Sequence, residues 1–284
     1  MKQKIATIVC GNSGIDYIKH PYDIDVFRSI LFIDQEEYTD FIDITADAFY
    51  KRLSLNPNLD IKTSQTATGL MLEVYKRLES DGYTDAIVVT ISSHLSGTYQ
   101  NAVLAADMAE ALKVHVFDSK SVAFPEEKLA LVCAEMAKNN HSVEEILVKL
   151  NHIRDNAQIY FTVDTLKYLV KNGRLSVAKG FLGNLFKLKP LLWINKEGII
   201  ETIEKIRTSK KALERLKEKF FEETKDFEIE PFVIYTIDKS LAEAIASEIK
   251  ARYPYIKDIP LQPLTPVVGA HAGPGAYALG YIKK

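Results

Sequence analysis

Four hydroxyl side chains stand together where an apolar run gives way to an alanine-rich one, in "ISSHLSGTYQNA" at residues 91–102. The preceding "DAIVVTI" predicts a buried strand, and the residues from about Gly97 onward predict a helix. The free N–H groups and the dipole of a helix start attract anions, and a glycine there lets an anion approach the backbone. Ser96 either caps this helix or turns its hydroxyl toward a ligand. The stretch therefore indicates a capped turn or an anion site, with Ser93, Ser96 and Gly97 as candidate residues.

A second run of hydroxyls precedes a helix in "IKTSQTATG", which begins at residue 61. Thr63 and Ser64 lie at the end of the short apolar segment, and the helical pattern continues from about Gly69 to Ser80. The pattern is typical of a capped loop, and it also fits a hydroxyl-lined binding site. Thr63 and Ser64 are therefore two further candidate ligand-binding residues.

Two other stretches combine one cationic or titratable side chain with glycines. In "GAHAGPG", three glycines and Pro274 predict an irregular turn after a strand, open to close backbone approach, around His271. His271 is either a structural or a ligand-binding residue. In "KNGRLS", Arg174 follows a glycine just past a predicted helix end, where it is either solvated or turned toward an anion.

Signatures of catalysis are missing from the sequence. There is no Gly-x-Ser-x-Gly nucleophile elbow, no phosphate-binding loop with its lysine and no Gly-x-Gly-x-x-Gly after a strand. The six histidines show no metal-ligand spacing. The sequence offers hydroxyls, a histidine and helix ends to bind an anion, so we expect no catalytic residues, no metal and no cofactor. An acyl hydrolase that uses Ser96 and His271 is the enzymatic alternative.

Composition narrows the class of protein. The chain has 284 residues, a net charge of −2 and a pI near 6.3, so we expect no nucleic-acid surface. Cys10 and Cys133 lie in apolar surroundings, which predicts buried free thiols. The first strand-like run lacks the features of a secretion signal, and no run of about eighteen apolar residues occurs. We expect a cytoplasmic protein.

The pattern of elements predicts the α/β class with two α/β domains, residues 1–155 and 156–284. In the first, β-branched runs alternate with helical stretches, which predicts a parallel sheet. Ser142 and Glu145 predict a capping box for its last helix. In the second, two strand-like runs flank Lys196-Glu197-Gly198, which predicts a hairpin within a mixed sheet, and Asp164 is predicted to cap a short helix.

Six motifs, taken in order along nearly the whole chain, resemble those of the DegV family, which includes the bacterial fatty-acid-binding proteins called FakB. The motifs are "TSQ", "ISSHLSGTYQNA", "FDSKSVA", "DTLKYLVKNGRLS", "LGNLFKLKPLL" and "GAHAGPGA". The resemblance implies two α/β domains with one long-chain fatty acid between or beside them. It also implies that the carboxylate-binding positions of the family fall on Thr63 and Ser96. The histidine of its glycine-rich loop falls on His271, and the arginine of its "GR" motif falls on Arg174.

The resemblance also implies a role without catalysis. The protein would present its fatty acid to a separate kinase, itself similar to dihydroxyacetone kinase, which makes acyl phosphate for phospholipid synthesis. Arg174 would face that partner, and transient contact with a membrane is expected. Candidate residues for contact with the acyl chain come from "GFLGNLFKL", with interdomain core as the alternative; they are Phe181, Leu182, Leu185, Phe186 and Leu188.

One departure from the family pattern leaves an altered ligand or partner open. The family's N-terminal Val-Thr-Asp-Ser is Val9-Cys10-Gly11-Asn12-Ser13 in this chain, with Gly11 in place of the aspartate. A small-anion sensor built on the helix N-termini stands beside the hydrolase as a second alternative to the fatty-acid carrier. Such a sensor would have a short polar pocket and no long apolar tunnel.

Overall fold

The computed structural model describes residues 3–175 and 188–284. In chain order, the strands are β1 (Ile5–Cys10), β2 (Asp25–Phe27), β3 (Ile30–Ile33), β4 (Glu36–Thr39), β5 (Ile61–Ser64), β6 (Asp85–Thr90), β7 (Lys113–Asp118), β8 (Ala157–Thr162), β9 (Leu191–Ile194), β10 (Ile200–Glu204), β11 (Ile229–Tyr235), β12 (Leu261–Pro263) and β13 (Tyr277–Lys283). The α-helices are α1 (Ala46–Leu55), α2 (Thr68–Ser80), α3 (Thr98–Ala106), α4 (Phe124–Lys138), α5 (Val143–Asn156), α6 (Lys167–Lys171), α7 (Ser209–Thr224), α8 (Lys239–Arg252) and α9 (Pro266–Ala272). Of the candidate acyl-chain residues, Phe181, Leu182, Leu185 and Phe186 lie outside the described residues.

The chain divides into two compact units. Unit 1 consists of Met1–Ile30, Thr63–Asp155 and Lys196–Gly198, and unit 2 of Leu31–Lys62, Asn156–Asn195 and Ile199–Lys284. The chain therefore passes between the units at several points, one of which is residue 155. The predicted limits 1–155 and 156–284, as boundaries of independent domains, remain a prediction.

Unit 1 is built on a parallel sheet in the strand order β2-β1-β6-β7, as the β-branched runs predict. Every residue of β6 is buried, and so are five of the six residues of β1, because helices cover a parallel sheet on both faces. Strands β1 and β6 contribute to one apolar cluster with α2 and α3, which includes Ile8, Met71, Tyr75 and Val88. Each such side chain stabilises the fold by about 1.5–3 kcal/mol on burial.

In a parallel sheet the carboxyl ends of the strands meet at one edge. The loops that leave this edge in unit 1 are residues 11–17 after β1, 91–97 after β6 and 119–123 after β7. Lys120 and Ala123 in the last of these have positive φ angles of 50° and 60°. The carboxyl edge is therefore where the polar loops of this unit gather.

Unit 2 contains a mixed sheet in the order β10-β9-β8-β13-β11-β12. Its neighbouring strands are antiparallel, except for the parallel pair β11 and β12. The predicted hairpin is confirmed, since β9 and β10 pair antiparallel on either side of residues 196–198. Helices α7 and α8 bury Leu216, Phe220, Ile245 and Ile249 in a cluster with this sheet. The predicted fold class, with a parallel and a mixed sheet, is therefore confirmed.

A small third sheet, in the order β4-β3-β5, was not among the predicted elements. Its strands have only four residues each, and β4 carries the exposed polar residues Glu36 and Glu37. Strands this short with few apolar positions have no clear two-residue periodicity in the sequence.

Of the two predicted helix caps, the structure confirms one and contradicts the other. The capping box of α5 is confirmed: Glu145 Oε2 accepts the Ser142 N–H at 2.8 Å, and Ser142 Oγ accepts the Glu145 N–H at 3.3 Å. The prediction for Asp164 was wrong, because α6 begins two residues later than such a cap requires, at Lys167. Asp164 Oδ1 instead accepts the Ser209 hydroxyl at 2.7 Å.

Candidate functional site

The loop after β6 forms a tight turn around Ser92. The carbonyl of Ser92 accepts the N–H groups of Leu95 and Ser96 at 2.9 and 3.1 Å. Its hydroxyl is fully buried and donates to the Gly198 carbonyl at 2.8 Å. Ser92 therefore shapes this loop, and its hydroxyl is engaged by the protein itself.

Ser93 is positioned through the end of the neighbouring strand, β7. The Asp118 carboxylate accepts the N–H of Ser93 at 3.3 Å and the N–H of Lys120 at 2.8 Å. One carboxylate thus ties together the loops that follow β6 and β7. Ser93 itself is half-buried at the carboxyl edge.

Ser96 lies just before α3, which begins at Thr98. Its Oγ accepts the Thr98 N–H at 3.3 Å and lies 2.8 Å from the Thr98 hydroxyl. Ser96 thus bonds to the first residue of the helix, and its side chain is half-buried; its role in ligand binding stays a prediction. The helix ends at Ala106.

The structure brings the two hydroxyl-rich stretches together. We call residues 63–66 the first hydroxyl loop and residues 92–98 the second hydroxyl loop. The Asn101 side chain on α3 donates to the Thr66 carbonyl at 3.1 Å. The Gln65 side-chain amide packs against Gly97. The two loops therefore lie side by side within unit 1, although about thirty residues separate them in the chain.

Within the first hydroxyl loop, the hydroxyls differ in their surroundings. Thr66 is buried and donates to the Arg28 carbonyl at 2.7 Å, which anchors the end of the loop. Ser64 is exposed and donates to the Gln65 carbonyl at 3.3 Å, and Thr63 is half-buried. Thr63 is thus partly buried, two residues before Gln65, which packs against Gly97 of the second hydroxyl loop.

His271 lies in the last turn of helix α9, so the prediction of an irregular turn was wrong. The helix forms because Thr265 caps it, accepting the Val268 N–H, and Pro266 occupies its first turn. The irregular backbone begins only at Gly273, which has a φ of 76°.

The glycines around His271 admit protein side chains. A β-carbon at Gly269 would overlap the hydroxyl of Tyr50, and one at Gly273 would overlap the ring of Tyr168. The glycines predict that a ligand can come close to the backbone here. At Gly269 and Gly273, however, that space is occupied by the side chains of Tyr50 and Tyr168.

His271 and Arg174 lie near each other in unit 2. Burial, and secondarily the charge of Arg174, lowers the pKa of His271 to about 4, so the imidazole is neutral at pH 7. Burial also lowers the pKa of Arg174, whose Nη1 donates to the Asn172 carbonyl at 2.5 Å. The Asn172 side chain in turn donates to the Ala270 carbonyl at 3.0 Å, which links the end of α6 to α9.

The family profile described as "Uncharacterised protein, DegV family" matches residues 12–284. The chain belongs to the DegV family.

Known DegV proteins are similar to this chain in sequence and in structure. A DegV domain-containing protein of Staphylococcus aureus is 34% identical over 255 residues, which is 89% of this chain and 88% of that protein. The crystal structure of DegV, a fatty acid binding protein from Bacillus subtilis, superposes with a TM-score of 0.89 at 30% identity, covering 99% of this chain and 100% of that one. A fatty acid binding DegV family protein from Streptococcus agalactiae gives 0.88 at 29% identity, with 99% of both chains covered. The resemblance to the DegV family is therefore confirmed.

Sequence reasoning missed a buried acid–amide pair at the end of β1, close to where the chain departs from the DegV motif. The Asn12 amide donates to Glu126 Oε2 at 2.7 Å, and both side chains are buried. Burial raises the pKa of Glu126 well above its usual value. The sequence gives no sign of this burial, because acidic residues are common in the first turn of a helix, where Glu126 follows Pro125, and are usually exposed there.

Both cysteines are free thiols buried in unit 1, as the sequence predicts. Burial raises the pKa of Cys10 and raises that of Cys133 to about 12. The Thr7 hydroxyl also donates to Cys133 Sγ at 3.3 Å. Neither thiol therefore forms appreciable thiolate at neutral pH.

Among residues 3–175 and 188–284, no group of three or more His, Cys, Asp or Glu side chains is placed to hold a metal ion. In the same part of the chain, no helix has the length and apolar character needed to cross a bilayer.

Proposed function

We propose that this protein binds a long-chain fatty acid and presents it to a separate kinase. The observation that carries the proposal is the match of 99% of the chain to the Bacillus subtilis DegV structure, which is described as a fatty acid binding protein. The arrangement of hydroxyls and helix start in unit 1 supplies chemistry suited to the carboxylate of such a ligand.

The carboxylate requires hydrogen-bond donors, because an ionised group removed from water without partners is strongly destabilised. The two hydroxyl loops meet where Gln65 packs against Gly97 before α3, and they carry the hydroxyls of Thr63, Ser64, Ser93 and Ser96. The positive end of the helix dipole adds a favourable field at the same position. We assign the head group to these loops, with Thr63 and Ser96 as its principal donors.

The acyl chain dominates the free energy of binding. Burial of a methylene contributes about 0.8 kcal/mol, so about fourteen methylenes contribute roughly 11 kcal/mol before ordering costs. A ligand held this firmly dissociates slowly. Delivery to a membrane enzyme by simple release would therefore be slow, which favours direct presentation to a partner in the cytoplasm.

That partner is proposed to be a kinase resembling dihydroxyacetone kinase, which converts the carboxylate to an acyl phosphate for phospholipid synthesis. The carrier itself then needs no cofactor, only its bound fatty acid, and contacts a membrane transiently at most. Arg174 is assigned to the contact with the kinase, since a half-buried guanidinium can accommodate an anionic group in a fixed direction.

The hydrolase alternative is less favoured by the state of His271. A general base works best with a pKa near the operating pH, whereas the pKa of His271 is lowered to about 4. An imidazole of such low basicity would take a proton from Ser96 poorly. As a neutral group it can still donate one N–H to a carboxylate oxygen.

The test begins with mass spectrometry of lipid carried by the purified protein, followed by titration of the lipid-free protein with palmitic acid. We expect a co-purified long-chain fatty acid and no turnover of an acyl ester. Ester turnover that is abolished by Ser96→Ala would support the hydrolase instead, and tight binding of inorganic phosphate without lipid would support the small-anion sensor.

The kinase step has its own test. We expect Arg174→Ala to retain palmitic acid but to lose most acyl-phosphate formation with a DegV-associated kinase. Lys167→Ala removes an exposed cation at the start of α6, serves as the control and should keep both properties. Loss of lipid binding together with coupled activity in Arg174→Ala would place Arg174 in the lipid site or the framework.

A further inference from the structure

Gly97 occupies a position where the backbone does not itself require glycine. Its φ and ψ are −73° and 7°, which other residues also adopt in turns. The requirement comes from a neighbour: a β-carbon at position 97 would lie 2.8 Å from Gln65 Nε2 and 2.9 Å from Gln65 Oε1. These separations are shorter than normal van der Waals contact, so an alanine at this position would displace the Gln65 amide.

The displaced residue belongs to the first hydroxyl loop. Gln65 follows Thr63 and Ser64 directly, and Thr66 after it is fixed by two hydrogen bonds. The Thr66 hydroxyl donates to the Arg28 carbonyl at 2.7 Å, and the Thr66 carbonyl accepts from Asn101 at 3.1 Å. The loop therefore has a firm attachment at Thr66, and its second contact with the start of α3 is the packing of Gln65 on Gly97.

Arg28 is itself held in place. Its guanidinium forms a two-pronged ion pair with Asp16, in which Nη2 donates to Oδ1 at 2.6 Å, and both side chains are largely buried. Paired guanidinium and carboxylate groups have a fixed relative geometry. Because the anchor at Thr66 is rigid, a change at position 97 is expected to move the residues on the other side of Gln65.

We propose that Gln65 and Gly97 form a positioning pair for the fatty-acid head group. The Gln65 amide, seated against the face of Gly97 that lacks a β-carbon, sets the location of the Thr63 and Ser64 hydroxyls relative to Ser96. The two sets of donors can then reach the same carboxylate. This inference rests on the proposed function. In it, Gln65 and Gly97 position the hydrogen-bond donors without contacting the carboxylate themselves.

The experiment is a double-mutant cycle of Gln65→Ala and Gly97→Ala, read as affinity for palmitic acid and for 1-hexadecanol. We expect Gly97→Ala to lower the affinity for palmitic acid about tenfold, equivalent to one hydrogen bond to a charged group. The affinity for hexadecanol, which lacks the carboxylate, should change less than twofold. When Gln65→Ala is already present, the added methyl group meets no amide, and Gly97→Ala should have little further effect on either ligand.

Gly69→Ala provides the matched control, because a β-carbon at Gly69 in the first turn of α2 would meet no atom within 4 Å. It should bind both ligands as the parent does. Equal effects of Gly97→Ala in the parent and in the Gln65→Ala variant would overturn the pairing. Equal losses for the acid and the alcohol would overturn the role in head-group positioning.

Failure of the proposed function is distinguishable from failure of the pairing. A parent protein that binds neither lipid would overturn the proposed function and the positioning role with it. The melting temperatures of the four proteins in the cycle then report on the packing alone: non-additive changes would support the steric pairing of positions 65 and 97, and additive changes would overturn it.

Discussion

Glycines lie beside the candidate binding residues of both units, but different kinds of side chain occupy the space they provide. At Gly97 in unit 1, the neighbour is the amide tip of Gln65, which can move by rotating its side chain. At Gly269 and Gly273 in unit 2, the neighbours are the rings of Tyr50 and Tyr168. Tyr50 is buried and packs edge-on against Phe49, so its ring has little freedom.

This difference separates an adjustable region from a fixed one. Change at the hydroxyl loops of unit 1 is expected to alter ligand affinity more than stability. Substitution of Gly269 or Gly273 in unit 2 is expected to alter stability more than affinity, because the tightly packed tyrosine rings have no low-energy alternative position.

The largest expected effect is on affinity, in the double variant Thr63→Ala and Ser96→Ala. Each hydrogen bond to a charged carboxylate contributes about 1.5–3 kcal/mol, so each substitution should weaken palmitic acid binding roughly ten- to a hundredfold. Titration calorimetry measures the loss, and circular dichroism verifies the fold. Ser80→Ala, which changes a hydroxyl at the far end of α2, should bind as the parent does. Unchanged affinity in the double variant would make the head-group assignment wrong.

The next effect is on stability, in Gly273→Ala. The substitution combines a φ of 76° with overlap of the Tyr168 ring, so the free energy of unfolding should fall by about 2–4 kcal/mol. Gly173→Ala in the same unit has a similar φ of 72° but open space around the added carbon, and should cost only about 1 kcal/mol. Urea unfolding of the three proteins checks both values. Similar losses in the two variants would show that the Tyr168 ring yields easily.

Glu126→Gln tests the buried acid of unit 1, and we expect it to stabilise the protein at neutral pH. Burial raises the pKa of Glu126 above its unfolded value of 4.5, so between these two values unfolding releases a proton. The contribution of this group to the free energy of unfolding therefore falls as pH rises, by up to about 1.4 kcal/mol per pH unit. A glutamine does not titrate, so its contribution to the free energy of unfolding does not fall with pH. Its side-chain oxygen can still accept the hydrogen bond from the Asn12 amide.

Unfolding in urea at about pH 5, 6 and 7 measures this difference, with Glu135→Gln on the exposed side of the same helix as the control. The gap between Glu126→Gln and the parent should widen with pH, and the control should show no such trend. A constant gap would mean that Glu126 does not retain its proton in the folded protein.

The smallest expected effect belongs to His271. Because its pKa is lowered to about 4, the imidazole stays neutral above about pH 6, and its contribution to fatty-acid affinity should be the same at about pH 6 and pH 8. His271→Ala should lose up to about tenfold in affinity, and His271→Asn, which keeps a donor, should lose less. Binding that strengthens at the lower pH in the parent but not in the asparagine variant would show that the histidine becomes charged when the ligand binds.

Much of the fold can be predicted where one local pattern dominates. Strand β6 is a continuous β-branched run, and helix α7 has the same limits as its charged amphipathic segment, Ser209–Thr224. Helix α9 was missed because Gly269 and Gly273 suggest a turn, although Thr265 followed by Pro266 is a helix-start signal. Gly269 and Gly273 leave room for the side chains of Tyr50 and Tyr168, and these contacts join residues that are distant in the chain.

The candidate site is predictable only in its local parts. Hydroxyls beside a helix start can be read from the sequence, which explains why Thr63 and Ser96 were candidates. The packing of Gln65 on Gly97 and the hydrogen bond from Asn12 to Glu126 join residues 32 and 114 positions apart. Such pairings depend on the tertiary structure, and a single sequence carries no local pattern for them.

The burial of both native thiols has a practical consequence for fluorescence work. Maleimide and iodoacetamide dyes react with thiolates, and Cys10 and Cys133 are 1% and 0% exposed with raised pKa values. A cysteine introduced at an exposed site, such as Ser64→Cys in the first hydroxyl loop, should therefore be labelled selectively without removal of either native cysteine. If the head group binds at the hydroxyl loops as proposed, a dye at that position would report on the arrival and departure of the fatty acid.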